Sequence, residues 1–366
     1  MKLRICSLWG PSLCFFSEQI TLAAELGFDL VTVGDWPSGW HEMVVSLTLA
    51  SQLAPHAQIA PLVTSPFMRP LVPANALCSL DELSGGRMAL GLATGGSTVL
   101  ATGYMPATQA QVRSEFAAYR AAFAGENFEF GGRPVKALQF AQKVPIYYSA
   151  FGPKALALAG ELADGVILFA GHEHLDTTRD KIAAVRESAT RAGRNADLID
   201  IWVTSYISIR PTKVQAIDDL KAFIAVNAMA LRTPETLAMV PENVRPLVIE
   251  FQRRYDASEH VVVGGRNVAL LDEFGLADFL QDFDTIAGPE AIATDAMRRL
   301  EAMGVSTLIA ALPGMPIRSV QSAASPPRAR RFRTRQGCGG TRAKRQTGQT
   351  GLSGRRCRAC WPKQKR

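Results

Sequence analysis

The segment from residue 80 to residue 97 constrains the fold more than any other part of the chain. It reads LDELSGGRMALGLATGGS. Apolar residues at helical spacing lead up to it, and Gly85-Gly86 then ends the predicted helix. Residues 87–92 form a short run that is apolar after its first residue, as in a strand buried on both faces of a parallel sheet. Residues 94–97 would therefore lie at the carboxyl end of a strand, where α/β folds bind ligands.

Runs with the character of strands recur along the chain, with helical segments between them. We predict eight strands, at 3–8, 30–33, 57–63, 87–92, 144–150, 165–169, 199–209 and 307–311. This alternation predicts an α/β fold, a (β/α)8 barrel. A doubly wound sheet is the alternative, although GLATGG lacks the glycine spacing of a dinucleotide-binding turn. Residues 212–282 interrupt the alternation with helical patterns, so we predict a helical insertion before the last barrel unit.

Residues 319–366 differ in composition from the rest of the chain. They contain 14 of the 40 Lys and Arg residues and no Asp or Glu, which leaves 26 basic against 33 acidic side chains in residues 1–318. A segment so poor in apolar residues cannot form a core. We predict a barrel domain over 1–318 and a basic, disordered tail over 319–366. The tail is either a nucleic-acid-binding extension or the result of a reading-frame change that replaced the closing helix of the barrel.

Other features of the sequence concern the cellular setting. The apolar start of the chain runs into Trp9-Gly10-Pro11 without the cleavage site of a signal peptide, and no apolar run is long enough to span a membrane. The six cysteines show no paired framework, and the single CxxC at Cys357 and Cys360 is a weak zinc signal. We expect a cytoplasmic protein without a metal site.

The predicted strand ends carry few residues that catalyse reactions on their own. The sequence contains no order of Ser, His and Asp typical of a triad, no zinc-binding histidine spacing and no converging pair of carboxylates. We therefore expect a bound cofactor to supply the chemistry. The backbone N–H groups at Thr94-Gly95, and at the helix that begins at Gly152-Pro153, suit the anionic or carbonyl groups of such a cofactor.

Two long motifs resemble the luciferase-like oxidoreductases, and within them the branch that contains methylenetetrahydromethanopterin reductase. The first motif is LDELSGGRMALGLATGGS, and the second is VPIYYSAFGPKALALAGELADGVIL at 144–168. They occur in the order expected of that family. The resemblance extends from about residue 3 to residue 316, and it implies the same barrel.

The resemblance also implies which residues bind the cofactor and the substrate. In deazaflavin-dependent members the segments after the second to fifth strands line the cofactor pocket. Here these segments correspond to Asp35, Leu62, Val63, Thr64, Thr94, Gly95, Phe151, Gly152 and Pro153. A cis peptide bond is implied at Leu62–Val63, and Asp35 is the candidate catalytic acid or hydrogen-bond partner. The candidates for a substrate wall are Trp9, Trp36, Trp40 and Phe67, although a tryptophan at a strand end is at least as often part of the core.

The activity implied by the resemblance is hydride transfer between the deazaflavin coenzyme F420 and a small organic substrate. The alternative in the same superfamily is a monooxygenase that uses reduced FMN. An alternative of another class is nucleic-acid binding through residues 328–366, and deletion of the tail would separate it from an oxidoreductase activity. A small molecule is the expected partner, no membrane is expected, and a homodimer is a candidate assembly because dimers are common in the family.

Overall fold

The computed structural model describes residues 1–6, 12–37, 39–64, 69–95, 99 and 102–311. All of them belong to the first of two units into which the chain divides, Met1–Ala324. Strands and helices alternate through most of this part of the chain. The strands are β1 (Lys2–Cys6), β2 (Leu30–Gly34), β3 (Gln58–Thr64), β4 (Leu90–Ala93), β5 (Phe128–Phe130), β6 (Arg133–Val135), β7 (Ile146–Ser149), β8 (Gly165–Phe169), β9 (Asp200–Ile209), β10 (Thr285–Gly288) and β11 (Thr307–Ala311).

Nine of these strands form one parallel sheet that curls back on itself. Its order is β10-β9-β11-β1-β2-β3-β4-β7-β8, and β8 pairs with β9 as well. The pairing of β1 with β11 runs from Lys2 and Thr307 to Cys6 and Ala311. All strands of this sheet except β10 thus have a neighbour on both sides, which is consistent with a (β/α)8 barrel. The predicted α/β class is confirmed, and a doubly wound sheet does not fit these pairings.

Helices connect the strands on the outside of the sheet, and several more follow β9. The helices are α1 (Leu13–Glu25), α2 (Met43–Leu53), α3 (Leu71–Ser84), α4 (Gln109–Ala124), α5 (Pro153–Leu162), α6 (Leu175–Arg191), α7 (Lys213–Ala230), α8 (Pro234–Leu237), α9 (Arg245–Arg254), α10 (Arg266–Glu273), α11 (Ala277–Leu280) and α12 (Glu290–Ala302). Helices α7 to α11 share a hydrophobic cluster that includes Leu220, Phe251 and Leu271. The helical content predicted for 212–282 is present, and its status as an insertion stays a prediction.

Residues of the first motif, at 80–97, determine where β4 begins. Gly85 and Gly86 both have positive φ, at 73° and 82°, so the chain can leave α3 in a left-handed turn that favours glycine. The Asp81 carboxylate then accepts a hydrogen bond of 2.9 Å from the backbone N–H of Met88. The Arg87 guanidinium donates to backbone carbonyls of α3 and of the chain after α2. These contacts fix where β4 begins and therefore where it ends.

Buried polar side chains close the amino-terminal end of the barrel. The hydroxyl of Tyr147 and the indole N–H of Trp202 each donate to Asp200 at 2.8 Å, and the two rings stack with centroids 3.7 Å apart. A methyl group at Gly165 would lie 2.3 Å from the Tyr147 ring, so glycine is required there. This floor leaves the carboxyl ends of the strands as the end at which a ligand can enter.

Strand β10 was not predicted from the sequence. It pairs with the last residues of β9, from Tyr206 and Thr285 to Ile209 and Gly288. It is only four residues long and ends where α12 is about to begin. The pairing depends on β9 being long enough to contact three strands, which no local pattern in residues 285–288 indicates.

Candidate active site

Four adjacent strands carry the predicted cofactor segments at their carboxyl ends. Strand β2 pairs with β3, β3 with β4, and β4 with β7. Asp35 follows β2, residues 62–64 end β3, residues 94–95 follow β4, and residues 151–153 follow β7. Parallel strands end at the same edge, so the structure brings these segments to one mouth of the barrel, opposite the floor at Asp200.

The exit of β2 places two tryptophans over the barrel mouth. Gly34 is on the same face of β2 as Leu30, which belongs to the hydrophobic cluster inside the barrel. A methyl group at Gly34 would lie 2.0 Å from Cζ3 of Trp40, so the indole ring covers the strand where a side chain would otherwise stand. The rings of Trp36 and Trp40 meet edge to face, with centroids 5.5 Å apart. The two predicted wall residues that the structure describes are thus in contact.

Asp35 is buried near a second carboxyl group and a tyrosine. It is 8% exposed, and Glu115 on α4 is 7% exposed. Burial raises the pKa of the Tyr119 hydroxyl, and the negative charges of Glu115 and Asp35 act in the same direction. Sequence reasoning missed Glu115 and Tyr119 because they read as ordinary residues of an amphipathic helix. Asp35 therefore lies in an environment from which water is largely excluded.

The cis peptide bond predicted at Leu62–Val63 is absent. No peptide bond among the described residues is cis. Leu62 and Val63 instead continue the regular parallel pairing of β3, opposite Gly91 and Leu92 of β4. Such a ladder requires trans peptides in an extended strand, and the prediction of a cis bond was therefore wrong.

The exits of β4 and β7 both carry glycine. Gly95 has a φ of 81°, and the carbonyl of Thr94 accepts a hydrogen bond of 2.9 Å from the backbone N–H of Ala107. Gly152 is the N-cap of α5, where no side chain caps the first turn, and no atom lies within 4 Å of the position that its Cβ would take. Pro153 begins that helix. The backbone at Gly152 is therefore open, and the binding of a cofactor at these two turns stays a prediction.

A half-buried lysine lies beside Phe151. The Lys181 ammonium is 5.3 Å from the centre of the Phe151 ring and donates to the carbonyl of Phe169 at 3.2 Å. Burial lowers its pKa. Burial also raises the pKa of Asp284 to about 7, although Asn227 donates to that carboxylate at 2.6 Å. Sequence reasoning missed Lys181 because nothing in its helix distinguishes it from a surface lysine.

His260 is the most distant residue in sequence that contacts the predicted site. Its ring meets Trp36 edge to face with centroids 5.1 Å apart, and its Nδ1 shares a hydrogen bond of 2.8 Å with the Tyr255 hydroxyl. Burial lowers its pKa to about 4, so the imidazole is neutral near pH 7. No local motif marks this histidine, and only the fold brings it to the exit of β2.

Two of the predicted site residues and the basic tail fall outside the described part of the chain. Trp9 and Phe67 lie outside the described residues, as does the tail at 319–366. Within the described part of the chain, no group of His, Cys, Asp and Glu side chains could hold a metal ion. In that same part, no helix combines the length and the apolar character needed to cross a membrane.

Comparison with known proteins now identifies the family. The profile described as luciferase-like monooxygenase matches residues 8–307. The chain belongs to this family. The 5,10-methylenetetrahydromethanopterin reductase of Methanopyrus kandleri is 25% identical over 325 residues, which cover 81% of this chain and 88% of that protein. The F420-dependent glucose-6-phosphate dehydrogenase of Nakamurella multipartita is 30% identical over 276 residues, covering 69% and 80% of the two chains.

Solved structures agree on the fold of this luciferase-like protein. The coenzyme F420-dependent tetrahydromethanopterin reductase from Methanopyrus kandleri superposes with a TM-score of 0.66 at 21% identity, covering 88% of this chain and 95% of the other. A long-chain alkane monooxygenase superposes with a TM-score of 0.62 at 13% identity, covering 88% and 89%. The fold is therefore shared by deazaflavin-dependent enzymes and by monooxygenases.

Proposed function

We propose that this luciferase-like protein is an oxidoreductase that transfers a hydride between coenzyme F420 and a small organic substrate. The reaction would take place at the carboxyl mouth of a complete (β/α)8 barrel formed by residues 1–318, with residues 212–282 as a helical insertion. When bound, the deazaflavin would supply a two-electron carrier that gives or takes a hydride at a ring carbon. The matching proton would be added to, or leave, the polar atom of the substrate.

The preference for F420 is supported by the relatives that match most of the chain. The reductase and the dehydrogenase share 25% and 30% of their aligned residues with it, and the latter is named for F420. The alkane monooxygenase, at 13% identity, shares the fold alone. We therefore assign F420 as the cofactor of this chain, with reduced FMN as the alternative.

The observation that carries the proposal is glycine backbone at two adjacent strand exits. Strands β4 and β7 pair directly, so Thr94-Gly95 and Phe151-Gly152 follow neighbouring strands at the barrel mouth. Gly95 has positive φ, and open space surrounds the Cβ position of Gly152. A flat, anionic ring system can approach the backbone at Gly152 without meeting a side chain at that position. The residues present thus fit the cofactor.

The protein groups at the barrel mouth would bind the cofactor and transfer the proton. The turns at 94–95 and 151–153 would hold the cofactor, and β3 would support it from the adjoining strand end. The buried Asp35 carboxyl would hold a proton, or a hydrogen bond, at the polar atom of the substrate. We expect Asp35→Asn to retain F420 affinity within about threefold and to lower kcat by about 100-fold, because the amide can donate a hydrogen bond but cannot transfer the proton.

The experiment is a pair of equilibrium titrations of the purified protein, with and without residues 319–366, against oxidised F420 and against FMN. Fluorescence reports binding. The proposal predicts saturable F420 binding and at least about tenfold weaker FMN binding. Preference for FMN would move the assignment to the monooxygenases. Binding of neither by either form would reject a cofactor site at this mouth.

A further inference from the structure

An aromatic cluster assembled from two distant parts of the chain stands at the exit of β2. Trp36 is at its centre, edge to face with Trp40 at 5.5 Å and with His260 at 5.1 Å. Tyr255 extends the cluster through its hydrogen bond to His260. We call Trp36, Trp40 and His260 the aromatic wall. It stands at the exit of β2, where the Trp40 ring lies against Gly34 and Trp36 directly follows Asp35.

The wall holds two hydrogen-bond donors that no described residue accepts. Nε1 of Trp36 and Nε1 of Trp40 are both buried and have no hydrogen-bond acceptor among the described residues. A buried N–H group without a partner is unfavourable because it has lost its hydrogen bonds to water. Tryptophan is rarely buried in this way unless its N–H meets a partner. An acceptor atom on a bound molecule would remove this cost.

The segment that carries His260 presents no excess of positive charge. All three arginines of residues 253–266, a fully described segment, pair with carboxylates. Arg253 binds Glu250, Arg254 binds Glu273, and Arg266 contacts both Asp256 and Glu259. His260 is uncharged near neutral pH because burial lowers its pKa to about 4. An uncharged ligand suits a segment whose charges are balanced in this way.

The segment that carries His260 is held in place by the rest of the insertion. The buried Asn267 side chain donates to the carbonyls of Asp256 and Glu259 and accepts from the N–H of Asp256. The next residue after His260, Val261, has a φ of 54°, which is unfavourable for a β-branched side chain. A conformation of this kind persists only where its surroundings enforce it. The position of His260 is thus fixed by the fold.

We infer that the aromatic wall binds the substrate and selects an uncharged, flat molecule with one hydrogen-bond acceptor, such as an aryl ketone. His260 is a specificity-determining residue in this assignment, and the two indole N–H groups are donors to the acceptor. The inference rests on the proposed function. It differs from the phosphorylated sugar in the name of the Nakamurella multipartita relative.

The test uses three probes that share a benzene ring, added to the F420-loaded full chain and followed by calorimetry. Acetophenone has an acceptor, ethylbenzene lacks one, and benzoate carries a charge. We expect acetophenone to bind about fivefold more tightly than ethylbenzene, because one net hydrogen bond changes an affinity by about that factor. Benzoate should bind more weakly than both. Benzoate or glucose 6-phosphate binding more tightly than acetophenone would overturn the inference.

Substitutions in the aromatic wall test whether it causes the difference in affinity between the probes. Trp36→Phe and Trp40→Phe keep a ring and remove a donor, so at least one should bring the ratio between acetophenone and ethylbenzene close to 1. His260→Gln should weaken both probes by about threefold to tenfold, while His56→Gln, at an exposed histidine, should change neither. Unchanged affinities in all three wall variants would overturn the inference. Circular dichroism on the same samples shows whether a variant is misfolded. The F420 titration shows whether the proposed function itself fails. A variant that is folded and binds F420 therefore tests the substrate-binding role of the wall alone.

Discussion

Arg87 should contribute more to stability than any exposed arginine of the chain. Its Nε donates to Ser84 at 2.8 Å, Nη1 donates to Ala54 at 2.9 Å and also to Ala57, and Nη2 donates to Ser51 at 2.9 Å, in each case to the backbone carbonyl. The residue four positions after Ser51 is proline, which has no N–H, so that carbonyl depends on the guanidinium.

We therefore predict that Arg87→Met lowers the free energy of unfolding by about 3 kcal/mol. Four bonds at about 1 kcal/mol each give about 4 kcal/mol, and water reaching this half-buried site recovers part of it. Arg87→Lys, with fewer donors and no planar fork, should lose about half as much. The measurement is denaturant unfolding followed by circular dichroism.

Arg298→Met is the matched control, because Arg298 is exposed and forms no ion pair with any of the described residues. It should change the free energy of unfolding by less than about 0.5 kcal/mol. If Arg87→Met behaves like this control, the view that the first motif acts by anchoring β4 to α2 and α3 is wrong.

Three further predictions concern the aromatic wall. Gly34→Ala should cost about 1–3 kcal/mol of stability and weaken acetophenone binding, because its methyl group would lie 2.0 Å from Trp40; unaltered unfolding and binding would contradict this. Val261→Gly should gain up to about 1 kcal/mol, because glycine accepts the φ of 54° without strain, and a loss of more than about 1 kcal/mol would argue against strain there. The pKa of His260 is lowered to about 4 from its ordinary 6.5, so the unfolded chain takes up a proton at a higher pH than the folded protein does. The free energy of unfolding should therefore fall by up to about 3 kcal/mol as the pH drops from about 6.5 to 4. Unfolding curves at several pH values should show a shallower fall for His260→Gln, and identical slopes would contradict the buried neutral histidine.

Much of the barrel could be predicted from local patterns. The glycines after Ser84 end a helix wherever they occur, and the apolar run that follows them is a buried strand in almost any α/β context. The eight predicted strands are accordingly present; those at 165–169 and 307–311 have the predicted bounds, and the other six differ at one or both ends. Once the strand order is known, the geometry of parallel strands also places Asp35, Thr94 and Gly152 at one mouth.

The parts that could not be predicted depend on contacts between distant residues. Strand β10 exists because β9 is long enough to pair with it, and His260 reaches Trp36 only through the packing of the helices that follow β9. Glu115 becomes buried and Lys181 half-buried because of what packs against their helices, which spacing within those helices does not reveal. The cis bond at Leu62–Val63 was carried over from a family likeness, and the regular pairing of β3 with β4 excludes it.

The most direct test of the assignment is a competition titration in which F420 and FMN are offered to the same sample of full-length protein. We predict that F420 binds and that excess FMN does not displace it. We also predict that Gly152→Asp, which adds a negative side chain to the open turn before α5, weakens F420 binding by at least about tenfold. Displacement of F420 by equimolar FMN, or an unaltered affinity of Gly152→Asp for F420, would refute an F420 site at this mouth of the barrel.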